Sequence, residues 1–116
     1  MHTLATYQSM AVRNAEDLDS DRLSLNLMIA LGEMAKLTVA AEDAATKPLQ
    51  HFQDNPYKSG FNREQAQAAL GAILFNTAVL ADRFGIDLGE LAEVQIAKVE
   101  RITNSGRLRM LAGGVR

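Results

Sequence analysis

Residues 21 to 47 read DRLSLNLMIALGEMAKLTVAAEDAATK, and the period of this stretch decides the fold. Leu23, Leu27, Ala30, Met34, Leu37 and Ala41 recur every three or four residues, which is the spacing of one face of an α-helix. Leu31 and Ile29 widen that stripe, so burial on more than one side is expected. Pro48 stops the helix, because its ring and missing N–H do not fit a helix interior. At the other end the acidic run Glu16-Asp17-Leu18-Asp19-Ser20-Asp21 supplies capping side chains and negative charge for the N-terminus.

Working outward, Pro48 to Gly60 holds both prolines, an Asp-Asn pair and a glycine, and reads as a loop. Arg63 to Phe84 gives a second long helix, striped by Ala66, Ala69, Leu70, Ile73, Leu74, Thr77, Leu80, Ala81 and Phe84. Asn62 and Gln65 stand at capping-box spacing before it, and Gly85 suits the left-handed residue that closes it. Asp87-Leu88-Gly89-Glu90 is a second capping box, opening a helix to Arg101 or Ile102 with Leu91, Val94, Ile96 and Val99 on its inward face. A short first helix spans Leu4 to Ala15, with Leu4, Tyr7, Met10 and Ala11 on one side. The expectation is an all-α bundle of four to five helices over residues 1–104, its two long helices antiparallel, followed by a loose glycine- and arginine-bearing tail over 105–116.

Composition narrows the function classes. At 116 residues and 12.6 kDa the chain is one domain. With no cysteine it has no disulfide framework, thiolate metal site or cysteine nucleophile. Twelve basic and fourteen acidic residues give a net charge of −2, which argues against nucleic acid as a partner. No segment is expected to supply the roughly 20 apolar residues that span a bilayer, and the N-terminus lacks the pattern of a signal peptide. A cytoplasmic protein without a membrane partner is the expectation.

Few residues carry chemistry. Glu33 is the one acid on the core side of the first long helix, and it reads either as a surface carboxylate paired with Lys36 or as part of an acidic cluster. Between Glu64 and Asp82 the second long helix has no acid at all. Glu90 and Glu93 share an i,i+3 spacing that is common on solvated faces. His2 is terminal and His51 falls in the loop, so neither assembles a catalytic pair. No nucleophile elbow or phosphate loop is present. Asn76, polar within an apolar stretch, either lines a pocket or bonds across the bundle.

The linear order of these features resembles the MazG-like all-α nucleoside triphosphate pyrophosphohydrolases, from about Tyr7 to Ile102. Tyr7-Gln8-Ser9-Met10-Ala11-Val12-Arg13 looks like the family's N-terminal YQ-x-x-A-x-R helix. Leu31 to Leu37 (LGEMAKL) is similar to its second helix, and Lys47 to Gly60 to its variable loop. Ala69 to Leu74 (ALGAIL) falls where the family has Glu-Leu-Gly-Asp, Leu80 to Leu88 resembles the helix exit, and Ala92 to Arg101 (AEVQIAKVER) the closing Asn-x-x-Lys-x-x-x-Arg region. The resemblance implies a Mg²⁺-dependent hydrolysis of triphosphate to monophosphate and pyrophosphate, with metal held by Glu-x-x-Glu and Glu-x-x-Asp. Here those pairs read Ala30-x-x-Glu33 and Ala69-x-x-Ala72, so Glu33 alone keeps a ligand. It also implies phosphate contacts from Lys36, Gln95, Lys98 and Arg101, and a homodimer or dimer of dimers.

Three readings follow. The first is a MazG-like protein whose catalysis is impaired, with no cofactor and a structural, interaction or weak nucleotide-binding role. The second is an active pyrophosphohydrolase with an atypical Mg²⁺ site, built from Glu33 with Glu42, Asp43 or another subunit's acids. The third is an unrelated helical oligomerisation module.

Overall fold

The computed structural model describes residues 2–45, 56–58 and 60–105. Among them the chain forms α1 (Leu4–Asn14), α2 (Ser20–Ala45), a 3₁₀ turn (Pro56–Lys58), α3 (Gly60–Arg83) and α4 (Leu88–Ser105), with no strand. The protein is all-helical, as its periodicity predicts. The rest of the loop expected between Pro48 and Gly60, with His51, and the tail from Gly106 onward lie outside the described residues.

Local chemistry sets the helix ends. Thr3 Oγ1 accepts from the Thr6 amide at 3.1 Å, Asp19 Oδ1 from Arg22 at 2.8 Å and Asp87 Oδ1 from Glu90 at 2.9 Å. Each bond occupies an amide that the helix leaves without a partner. At the end of α3, Gly85 takes φ 75° while Ile86 N–H donates to Ala81 O at 2.8 Å and Gly85 N–H to Asp82 O at 2.9 Å. That pair of bonds is a Schellman closure, and glycine enters the left-handed region without a Cβ clash. The start of α3 differs from the capping box expected at Asn62. The helix begins at Gly60, and the Asn62 side chain instead donates to Pro56 O at 2.7 Å, tying the 3₁₀ turn to the helix.

α2 and α3 run antiparallel. Arg83 at the end of α3 donates to Ser20 Oγ at the start of α2 (3.2 Å), and to the Ala15 and Leu18 carbonyls of the preceding turn (3.2 and 2.7 Å). The bulky part of the core sits at this end, where Ala11, Ala15, Leu23, Ala78, Val79 and Leu88 are buried together and Tyr7, Phe75 and Leu91 pack on them. Gln8 is buried there too and fastens α1 to the turn between α3 and α4. Its Nε2 donates to Ala78 O and Ile86 O, both at 3.0 Å, and its Oε1 accepts from Leu88 N–H at 2.9 Å.

Toward the other end the α2–α3 pair buries only Ala30, Ala41 and Ala69. The predicted α2 stripe is correct: Leu23, Ala30 and Ala41 are buried, and Leu27, Met34 and Leu37 half-buried. The wider burial expected of α2 is not found within one chain, since Ile29 and Leu31 are exposed. Leu70 and Leu74 of α3, and Phe84 just beyond its end, are exposed as well, because no third helix among the described residues covers that side. α4 turns away from α3 by 106°, so only its first turns reach the core. Leu88 is buried and Leu91 half-buried, whereas Val94, Ile96 and Val99, expected inside, are exposed.

One further expectation needs correction. α2 is long and apolar enough to cross a membrane by length and composition, because Glu33 and Lys36 are the only charges between Arg22 and Glu42.

Candidate functional site

Where α2 faces α3, the opposed residues are small. Ala30 on one helix and Ala68, Ala69 and Ala72 on the other leave a gap that larger side chains would have filled. The result is a groove of about 470 Å³, within the range of small-ligand sites. Ile29 and Leu37 complete its apolar wall, and Asn26, Glu33, Gln65 and Asn76 are its polar residues. Helical periodicity explains the convergence. Ala30 and Glu33 lie one turn apart on α2, Ala69 and Ala72 one turn apart on α3, and all four line the same groove.

Glu33 is exposed and is the only ionisable side chain in the lining among the described residues. The pairing with Lys36 is not formed: both side chains are exposed and no ion pair joins them. Asn76 is the opposite case, only 4% exposed. Its Nδ2 donates to Ala72 O one turn back at 2.7 Å, which identifies the other terminal atom as the oxygen. That oxygen, Oδ1, is buried without a hydrogen-bond partner. A buried acceptor left open costs about 1–3 kcal/mol, so it marks a position where a donor belongs.

The residues expected to bind phosphate are elsewhere. Lys36 on α2 and Gln95, Lys98 and Arg101 on α4 are all exposed and none lines the groove. Gln95, Lys98 and Arg101 follow at i,i+3 on one side of α4. Glu42 and Asp43, the alternative metal ligands, are outside the lining too. Glu42 accepts a hydrogen bond from the Tyr57 hydroxyl at 2.5 Å, clamping the 3₁₀ turn to α2. That bond, with lesser help from desolvation and the carboxylate's charge, pushes the Tyr57 pKa above the usual phenol value.

Among the described residues no group of three or more His, Asp or Glu side chains is placed to hold a metal ion. The groove itself fits Mg²⁺ poorly. It offers one carboxylate and amides against a mainly aliphatic wall, whereas Mg²⁺ keeps its water and needs near-octahedral oxygens. Gln8, the main structural polar residue of the fold, is absent from the positions that the sequence singles out. The signal was available, since Gln8 stands three residues before Ala11 and four after Leu4, on the face assigned to the core.

Comparison of the chain with known protein families, with curated proteins and with solved structures finds no match.

Proposed function

We propose that this chain is a MazG-like helical protein that has lost the pyrophosphohydrolase reaction and works as a self-assembling cytoplasmic module. The observation that carries the reading is the groove. The four positions at which the resemblance puts metal ligands share one cavity, and three of them are alanine. Triphosphate cleavage of the family's kind requires an ion to neutralise the phosphates and activate water. Glu33 alone leaves that charge unbalanced, and losing such stabilisation costs orders of magnitude in rate. Any nucleotide held by Lys98, Arg101 and Gln95 on the exposed side of α4 would be held weakly, by screened charges.

The test combines two measurements on the wild-type protein. Adding 5 mM Mg²⁺ or Mn²⁺ (about that concentration) is expected to move the melting temperature by less than about 1 °C, and no ribo- or deoxynucleoside triphosphate should yield pyrophosphate. A shift of several degrees, or pyrophosphate release that the metal stimulates, would establish the atypical enzyme instead.

Self-assembly has its own support. Leu25, Met28, Leu31 and Val39 form a second apolar stripe on α2, roughly opposite the buried one, and Met28 is 68% exposed. A second copy covers such a stripe more readily than a bilayer does. In a bilayer the mid-helix Glu33 and Lys36 would each cost about 2.5–3.5 kcal/mol. Sedimentation is expected to show a dimer or dimer of dimers at micromolar concentration. The double substitution Met28→Glu and Leu31→Glu should weaken it at least about tenfold, the effect of losing about 1.4 kcal/mol. A wild-type monomer at that concentration would end the assembly reading.

A further inference from the structure

The α2–α3 groove carries three carboxamides, Asn26, Gln65 and Asn76, which donate and accept, but among the described residues its charge is of one sign. That charge is the Glu33 carboxylate, and Asn76, one of the lining residues, holds the one buried side-chain polar atom without a partner among the described residues, the acceptor Oδ1. Among the described residues the lining contains no lysine, arginine or histidine. The wall between is aliphatic: Ile29, Ala30, Leu37 and the alanines of α3. An anion would meet no counter-charge there, and a neutral apolar molecule would leave the Asn76 oxygen unsatisfied.

We infer that the groove is a binding site for a small organic cation, a protonated amine or amidine carrying a compact apolar body. The cationic N–H groups pair with Glu33 and, once the Asn76 side chain turns its buried oxygen toward the groove, with Oδ1, and the body fills the space between the alanines. An inorganic divalent ion meets the first requirement but not the second, since it would keep its hydration shell against an aliphatic wall. The about 470 Å³ available suits a ligand with a single ring or a short branched chain. These properties belong to the groove whether or not the chain is MazG-like.

Three probes of one shape test it: benzamidinium, benzyl alcohol and benzoate, titrated into the full chain in the presence of EDTA and followed by amide chemical shifts and melting temperature. Benzamidinium is expected to bind in the millimolar range or tighter and at least about fivefold better than benzoate, the scale of one partly exposed ion pair. Shift changes should map to Ala30, Ala69, Ala72 and Asn76. Glu33 is exposed, so Glu33→Gln should fold normally and reduce the cation-over-anion preference to within about twofold. Asn76→Leu removes the open acceptor. It should weaken benzamidinium several-fold while changing the melting temperature little, because losing the Nδ2 bond to Ala72 O is offset by removing the buried open acceptor.

Equal affinity for the three probes, no binding of benzamidinium at about 20 mM, or an unchanged preference in Glu33→Gln would overturn the assignment. So would displacement of benzamidinium by Mg²⁺ in a parallel titration without EDTA, which would identify the site as inorganic. Absence of benzamidinium binding would leave the metal and pyrophosphate measurements on the wild type untouched, so the two readings fail separately.

Discussion

Replacing Gln8 by Leu lowers stability by about 3 kcal/mol, a fall of roughly 12 °C in melting temperature for a chain of this size. The side chain makes three hydrogen bonds at 2.9–3.0 Å and is only 6% exposed. Leucine fills a similar volume, so the loss is of partners rather than of packing. Ile86 O in the turn between α3 and α4, and Leu88 N–H at the first residue of α4, both stand outside the helical ladder and lose their partner together. Leu88 N–H is among the first amides of α4, which no intrahelical carbonyl reaches. Equilibrium denaturation measures the cost directly. A loss below about 1 kcal/mol would mean that water replaces Gln8 and that the α1 clamp is not needed.

The second large effect comes from refilling the groove. In Ala30→Glu/Ala69→Glu/Ala72→Asp, three new carboxylates share one cavity with Glu33. Ala30 and Ala69 are 5% and 8% exposed, so two of the new charges start almost buried. Repulsion and desolvation together should depress the melting temperature by about 10 °C or more in EDTA. Mg²⁺ or Mn²⁺ then restores stability, by about 2.7 kcal/mol when the ion is at a hundred times its dissociation constant. The wild type shows no comparable response. If the triple variant is destabilised and metal does nothing, the four side chains do not converge on one ion, and the MazG-like reading falls. If metal rescues it, these positions have the geometry of a carboxylate site that the native alanines leave empty of charge.

These two variants differ in how visible their positions are along the chain. Ala30, Ala69 and Ala72 stand out only against the resemblance, because an alanine in a helix is the least informative residue there is. That they border a groove depends on two helices facing each other through small side chains, which neither helix encodes alone. Gln8 lay on a predicted core face and its partners come from residues 78, 86 and 88, some seventy to eighty positions away. Asn62 departs from its expected capping role for a related reason. Its spacing from Gln65 fits a capping box, but the Pro56 carbonyl beside it in space takes the side chain instead.

Helix positions and most of their ends were readable because period, caps and the glycine stop act within one or two turns. Asp19, Asp87 and Gly85 each do what their local neighbours require. Burial is not local in that sense. α2 carries two apolar stripes on nearly opposite sides, and α3 covers only the one with Leu23, Ala30 and Ala41. The period picks out the first stripe but does not limit burial to it, since the second satisfies the same helical period. It is the antiparallel pairing with α3 that buries the first stripe, bares Met28 and Leu31, and opens the gap between the alanines. The same pairing places Asn76 beside that gap, with its amide hydrogens directed to Ala72 and its oxygen left without a donor.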